Sequence, residues 1–272
     1  MSTVQTVPSL RLSDGVEIPQ LGFGLFGVPP EGTRRAVELA LEAGYRHLDT
    51  AAAYGNEKEV GAALAASGLS RRDYFVTAKL WCSRQGQDST ARTFEASLAR
   101  LGLDHVDLCL VFRPVPAGGR FIDLWRALER IHREGTARTI GVANGGIEDL
   151  ELLRREAETL PTVNQVELHP YCQEADLLAW HAEHGVATGA WSPLEQGDLL
   201  GDETTIVRLA EGHGKTLTQV ILRWHMQLGN VAIAGPVTPE GIRESVDLFD
   251  FELSDEELVA IGALDDNFML LR

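Results

Sequence analysis

Cationic side chains are scarce in this 272-residue chain: 24 Lys and Arg stand against 40 Asp and Glu, a formal net charge of −16. A surface that acidic repels phosphate backbones and anionic lipid heads, so nucleic acid and membranes are poor partners. Cysteine is nearly missing too. Cys82, Cys109 and Cys172 lie far apart, without the C-x-x-C spacing of a zinc or redox site, and read as reduced packing residues with no metal. No apolar run approaches the ~20 residues that span a bilayer, and Met1 to Pro8 lacks a basic stretch followed by an apolar one. The expectation is a cytoplasmic protein. With 44% apolar and 24% charged residues, the chain has the composition and length to bury a core, which excludes disorder and miniprotein scaffolds.

What is present is alternation. A hairpin is expected from Ser9 to Leu12 and Val16 to Pro19 around Asp14-Gly15. Strands are then expected at Gln20–Gly24, His47–Asp49, Phe75–Leu80, Val106–Phe112, Thr139–Val142, Val163–Leu168, Val186–Trp191 and Val231–Ala234. Helical spacing fills the intervals at Thr33–Ala43, Glu57–Ser67, Thr90–Leu101, Phe121–Glu134, Ala175–Glu183 and Leu217–Leu228. In the fourth, Phe121, Leu124, Trp125, Leu128 and Ile131 form one apolar stripe. Eight βα units predict a (β/α)8 TIM barrel in the α/β class, with an N-terminal β-hairpin and one domain over residues 1–272. In such a barrel the active site is built at the C-terminal ends of the strands.

Two near-matches to phosphate-binding loops fail in context. Gly22-Phe23-Gly24-Leu25-Phe26-Gly27 fits G-x-G-x-x-G, but a dinucleotide loop must open directly into a helix, and Val28-Pro29-Pro30-Glu31-Gly32 intervenes. Gly212-His213-Gly214-Lys215-Thr216 lacks the required first glycine, that position being Leu209, and follows a helical pattern where a strand is needed.

Asp49, Tyr54 and Lys79 can meet at one rim of the barrel. A carbonyl under attack gathers negative charge on oxygen, and a tyrosine supplies the proton if its pKa, ordinarily about 10, is lowered by a nearby ammonium. Lys79 is that ammonium, with Asp49 holding it charged. The same residues also suit a structural Asp–Lys pair with Tyr54 as loop packing.

The chain resembles the aldo-keto reductase superfamily over nearly its whole length, most closely the bacterial members that include 2,5-diketo-gluconic acid reductases. Gly44-Tyr45-Arg46-His47-Leu48-Asp49-Thr50-Ala51, Tyr54-Gly55-Asn56-Glu57, Lys79-Leu80-Trp81, Ile140-Gly141-Val142-Ala143-Asn144, Asn164-Gln165-Val166-Glu167-Leu168-His169-Pro170 and Trp191-Ser192-Pro193-Leu194 carry the likeness in order. The resemblance implies NADPH-dependent reduction of an aldehyde or ketone. Tyr54 would be the proton donor, tuned by Lys79 and Asp49. Asn144 and Gln165 would hold the nicotinamide carboxamide and Trp191 would stack on the ring, with Ser192 and Leu194 beside them.

Two departures stand out. The family's histidine at the end of the fourth strand is Phe112 here, in Leu110-Val111-Phe112-Arg113-Pro114. A phenyl ring gives a carbonyl no hydrogen bond. After the eighth strand, the family's cationic segment for the 2′-phosphate and adenosine of NADPH becomes Ala234-Gly235-Pro236-Val237-Thr238-Pro239-Glu240-Gly241-Ile242-Arg243-Glu244-Ser245. The lysine position is Gly235, the serine Pro236, the two arginines Thr238 and Gly241, and the asparagine Ser245. Charge-assisted bonds to a phosphate are worth roughly 1.5–3 kcal/mol each, so their loss weakens NADPH binding. Arg243 is a possible substitute, and NAD needs no such contact.

Phe26, Trp81 and Phe112 are candidates for an apolar substrate wall. Arg113 suits either a substrate anion or solvent, His169 a structural turn, and His181 with His184 a solvated helix face in preference to a metal site. Taken together, the departures favour an acid–base enzyme without a cofactor, in which Tyr54 drives an isomerisation, dehydration or cyclisation in a biosynthetic setting. The alternative is a reductase with altered NADPH or NADH binding, and a non-catalytic binding protein comes last. The partner is a small carbonyl compound, and no feature argues against a monomer.

Overall fold

The structure, a computed structural model, describes residues 7–81, 87–112, 121–194, 204–235 and 238–269. Ser9–Arg11 (β1) pairs antiparallel with Glu17–Pro19 (β2) across a turn in which Gly15 takes φ +88°. Then come Leu21–Gly24 (β3), His47–Ala51 (β4), Phe75–Leu80 (β5), Val106–Phe112 (β6), Ala137–Ala143 (β7), Val163–Glu167 (β8), Ala187–Trp191 (β9) and Val231–Ala234 (β10). Neighbours in this series are parallel, and β10 pairs with both β9 and β3, which closes the sheet into the expected eight-stranded barrel.

The surrounding helices are Pro30–Ala43 (α1), Glu57–Ala66 (α2), Gln87–Leu101 (α3), Phe121–Arg133 (α4), Ile147–Glu156 (α5), Ala175–His184 (α6), Thr204–His213 (α7), Leu217–Gln227 (α8), Pro239–Glu244 (α9) and Asp255–Gly262 (α10). The α4 stripe is buried throughout, as its spacing requires. Helices α5, α7, α9 and α10 add to those read from periodicity. Each has ten residues or fewer, a length at which an apolar stripe repeats only two or three times, enough to read α2 and α6 but not these four. Among the described residues no helix is long and apolar enough to cross a membrane.

Inside the barrel, Phe75, Leu108, Leu110, Val163, Val231 and Ile233 pack with Leu12 and Ile18 of the hairpin. The hairpin thereby plugs the N-terminal mouth, and an apolar floor lies beneath the C-terminal rim. The G-x-G of β3 is part of this packing. A Cβ on Gly22 would lie 2.6 Å from Ile233 Cδ1 and 2.8 Å from His47 Nδ1, and one on Gly24 3.0 Å from Ile233 Cγ2. The Gly212–Thr216 stretch is a helix junction: Thr216 caps α8, its Oγ1 accepting from Gln219 N, while Lys215 pairs with Asp247 and Asp250 at 3.5 and 2.6 Å.

One expected surface residue is internal. His181 is 1% exposed, with Asn164 at its Nε2 and Thr188 Oγ1 at its Nδ1, each 2.9 Å away. The solvated-face expectation fails because α6 turns this residue onto β8 and β9, and burial pulls its pKa down to about 4. His184 stacks on Trp180 at 4.0 Å. No cluster of three or more His, Cys, Asp or Glu suited to a metal occurs among the described residues. Cys109 and Cys172 are buried and form no disulfide, and Cys82 lies outside the described residues.

Candidate active site

Parallel pairing sets Asp49 opposite Thr77 and Ala51 opposite Lys79, so the inward-facing Asp49 and Lys79 are diagonal neighbours on β4 and β5. Beyond β4 the chain makes one tight helical turn, Ala52–Tyr54, and leaves it through Gly55 at φ +71°, which brings the Tyr54 ring back over the rim. Lys79 Nζ bonds to Asp49 Oδ1 and donates to Tyr54 OH at 3.2 Å. Gln165 Nε2 donates to Asp49 Oδ2 at 2.8 Å. The four residues form one hydrogen-bonded chain.

Burial acts on both titrating groups. It presses hardest on Lys79 toward the neutral form, yet the charge of Asp49, then Tyr54, and its hydrogen bonds to both hold its pKa above the ordinary lysine value. For Tyr54 burial dominates and lifts the pKa, against the pull of Lys79. The expected net lowering of Tyr54 is therefore corrected: the ammonium does act downward, but desolvation outweighs it. A neutral phenol is what a proton donor has to be, and the ammonium stabilises the phenolate that donation leaves.

Of the three apolar candidates, one touches this group and the other two pack on each other at the ends of β5 and β6. Phe26 meets the Tyr54 ring edge-on at 5.3 Å, and Trp81 and Phe112 stack at 4.6 Å with planes 21° apart. Phe26 and Trp81 are 75% and 54% exposed among the described residues. Asn56, which spacing does not single out, fixes the Phe26 segment: buried, it donates to Leu25 O at 3.0 Å and Val28 O at 3.2 Å and accepts from Thr50 Oγ1 at 3.1 Å. Arg113 lies outside the described residues.

A second group sits on the adjoining arc. Asn144 follows β7 at φ +59°, its N–H donating to Gln165 O at 2.8 Å and its Oδ1 accepting from Trp191 Nε1 at 2.7 Å. Ser192 follows at φ +51°, while Leu194 turns into the core near α7 and α8. Among the described residues, the Asn144 amide nitrogen and the Gln165 amide oxygen have no protein partner. Two carboxamides with open positions beside an indole suit a flat ring that bears an amide. Gln165 joins this group to Asp49, a link across 116 residues that no local spacing encodes.

Beyond β10, Thr238 caps α9, its Oγ1 accepting from Gly241 N at 3.1 Å, and Arg243 lies 3.9 Å from Glu240. Ser245 is buried, its hydroxyl 2.7 Å from Tyr45 OH and donating to Ile242 O at 3.1 Å.

The family model "Aldo/keto reductase family" matches residues 20–266. A Mycobacterium sp. (strain JLS) aldo-keto reductase is 49% identical over 95% of this chain and 94% of its own. The methylglyoxal reductase DkgA of Yersinia pestis is 44% identical over 95% of this chain and 93% of its own. The crystal structure of a Bombyx mori aldo-keto reductase in complex with NADP superposes with a TM-score of 0.92, at 31% identity, covering 98% of this chain and 96% of that one. These likenesses overturn the expectation of chemistry without a cofactor, because relatives that share the fold hold NADP. They support the reductase alternative over a redox-neutral reaction.

Proposed function

The chain belongs to the aldo/keto reductase family, and from that premise we propose that it reduces a small aldehyde or ketone with a nicotinamide dinucleotide, NADPH or NADH. The observation that carries this reading is the ammonium shared between Asp49 and Tyr54, tied through Gln165 to the Asn144–Trp191 pair. When bound, the reduced nicotinamide supplies a hydride. Asn144 and Gln165 would hold its carboxamide and Trp191 would stack on the ring, with Ser192 and Leu194 in the segment that follows Trp191.

The rest is done by the chain's own groups. The substrate oxygen lies against Tyr54 OH, which gives up its proton as negative charge builds on that oxygen. Lys79 stabilises the resulting phenolate, and Asp49 keeps Lys79 charged in a buried position. Phe112 offers no hydrogen bond, so among the described residues Tyr54 aims the carbonyl, and Phe26, Trp81 and Phe112 position the remainder by apolar contact.

The test is stoichiometric. Purified protein stripped of nucleotide is incubated with a panel of aldehydes and ketones, then supplied with NADPH or NADH. The reading predicts no conversion before addition and one reduced nucleotide consumed per carbonyl reduced after it. Conversion that proceeds without nucleotide overturns it.

A further inference from the structure

Resting on the reductase reading, we propose that Asn164, held in place by His181, is a positioning residue for the nicotinamide end of the cofactor: it clamps the backbone of Gly145 and so aims the carboxamide of Asn144. Asn144 is a non-glycine residue at φ +59°, a conformation that costs energy and persists only where its surroundings impose it. Two of its ties lie on the rim, its N–H donating to Gln165 O at 2.8 Å and its Oδ1 accepting from Trp191 Nε1 at 2.7 Å. The third comes from behind, on the helix-facing side of β8.

Alternation along β8 sends Gln165 into the barrel, to Asp49, and its neighbour Asn164 out toward α6. There the buried Asn164 holds both backbone polar groups of Gly145: its Oδ1 accepts from Gly145 N at 3.1 Å, and its Nδ2 donates to Gly145 O at 2.8 Å. A residue that offers one donor and one acceptor tells the two ends of an amide apart, so the orientation of Asn164 is set. The Gly145 N–H belongs to the peptide that leaves Asn144, and holding it fixes the Asn144 backbone and with it the direction of the carboxamide. So close an approach needs a glycine, since a Cβ on Gly145 would lie 2.9 Å from Val142 Cγ2 and 3.4 Å from Asn164 Oδ1.

The second Nδ2 hydrogen goes to His181 Nε2 at 2.9 Å, which is therefore the unprotonated nitrogen. Nδ1 then carries the hydrogen and donates to Thr188 Oγ1 at 2.9 Å. Burial holds the His181 pKa down to about 4, so the ring is neutral at pH 7 and its acceptor stays open to Asn164. A hydrogen on Nε2 would set N–H against N–H and push the Asn164 amide off Gly145. Influence runs from Thr188 through His181, Asn164 and Gly145 to Asn144, and only the last of these meets the nicotinamide.

The experiment compares each dinucleotide with the fragment that lacks nicotinamide. The full chain and its Asn164→Ala, His181→Phe and His181→Gln variants, checked for folding by circular dichroism, are titrated calorimetrically with NADH and NADPH, then with ADP-ribose and its 2′-phosphorylated form. Asn164→Ala and His181→Phe are expected to raise the dinucleotide Kd about fivefold to tenfold, the worth of one net hydrogen bond, while the Kd of the matching fragment stays within about twofold. His181→Gln, whose Oε1 replaces Nε2 as acceptor, is expected to recover most of that loss. In the unaltered chain, histidine nitrogen chemical shifts at pH 7 are expected to place a hydrogen on Nδ1 of His181 and none on Nε2. Unchanged dinucleotide affinity in the folded variants, equal weakening of dinucleotide and fragment, a His181→Gln variant no better than His181→Phe, or a hydrogen on Nε2 overturns the positioning role. Absence of binding by both dinucleotides to the unaltered chain at millimolar concentration overturns the reductase reading beneath it, a distinct outcome.

Discussion

Two buried aspartates stand at opposite ends of the same barrel. Asp49 near the end of β4 and Asp107 at the start of β6 are 1% and 0% exposed. Asp107 accepts from Arg71 at 2.6 Å, from Arg138 at 2.7 Å and from the Val76 backbone N–H at 2.8 Å. Its two arginines reach solvent, their side chains 25% and 49% exposed. Asp49 has instead one buried ammonium, which it shares with a phenol, and one carboxamide. The first arrangement has several interchangeable supports and holds β5, β6 and β7 together. The second has one support for each role, so on the proposed reading a change at any member reaches the proton that Tyr54 gives up.

Replacement of Lys79 gives the sharpest break. Lys79→Met removes the charge that stabilises the Tyr54 phenolate, and kcat/KM is expected to fall by about 10²–10⁴, the usual worth of a positioned acid–base group. It also leaves Asp49 buried without its counterion, at a cost of about 3–5 kcal/mol in urea unfolding. Adding Asp49→Asn should return most of the stability and none of the activity. Recovery of both together would mean that the pair is structural, like its counterpart at the other end.

Asp107→Ala reverses the balance. The Val76 N–H loses its acceptor and two guanidiniums that reach solvent lose their carboxylate, Arg71 keeping the Tyr74 and His105 carbonyls, so about 2–3 kcal/mol of stability should go. Turnover per folded molecule should stay within about twofold, since no described contact joins Asp107 to Tyr54. A fall in kcat of the size seen for Lys79→Met would erase the distinction between the two ends.

Titration sharpens the contrast without mutation. His47 and His181 have folded pKa values lowered to about 4 by burial, against about 6.5 unfolded. Below 6.5 the unfolded chain binds more protons than the folded one, so stability falls as the pH drops from about 6.5 toward 4. Lys79 acts at the other extreme. Its folded pKa is raised, so its contribution is fully present below about 10.5 and is lost as the pH rises through that higher value. The proposed reductase activity should stay level across neutral pH, since burial raises the Tyr54 pKa above its ordinary value of about 10. A kcat that drops through pH 7–9, with circular dichroism unchanged, would contradict the raised tyrosine.

The barrel is legible in the sequence because eight β-branched or apolar runs are interleaved with helical stripes, six of which stand out by spacing. Strand ends such as Phe75–Leu80 and Val106–Phe112 coincide with those expected from pattern. Asp49, Tyr54 and Lys79 are legible through strand ends and an ordered likeness. The Gln165 bond to Asp49 is not, because registers on β4 and β8 meet only once the sheet closes. His181 escapes for a related reason: spacing alone does not say which helix face turns inward. The direction of the Tyr54 shift is hidden because a neighbouring charge is visible in sequence and the depth of burial is not.

The smallest expected effect is at Arg138. Arg138→Gln removes one of three donors to Asp107, from a side chain 49% exposed to water. The guanidinium is half exposed, and Arg71 and the Val76 N–H still hold the carboxylate, so the loss in urea unfolding should be about 1 kcal/mol. If redundancy is what separates the base from the rim, Arg138→Gln combined with Arg71→Gln must cost more than the sum of the two singles. After both changes the carboxylate retains only the Val76 N–H and is left without a counterion. Strict additivity in that cycle would mean that Asp107 never relied on its arginines jointly, and the contrast with Asp49 would then rest on solvent access alone.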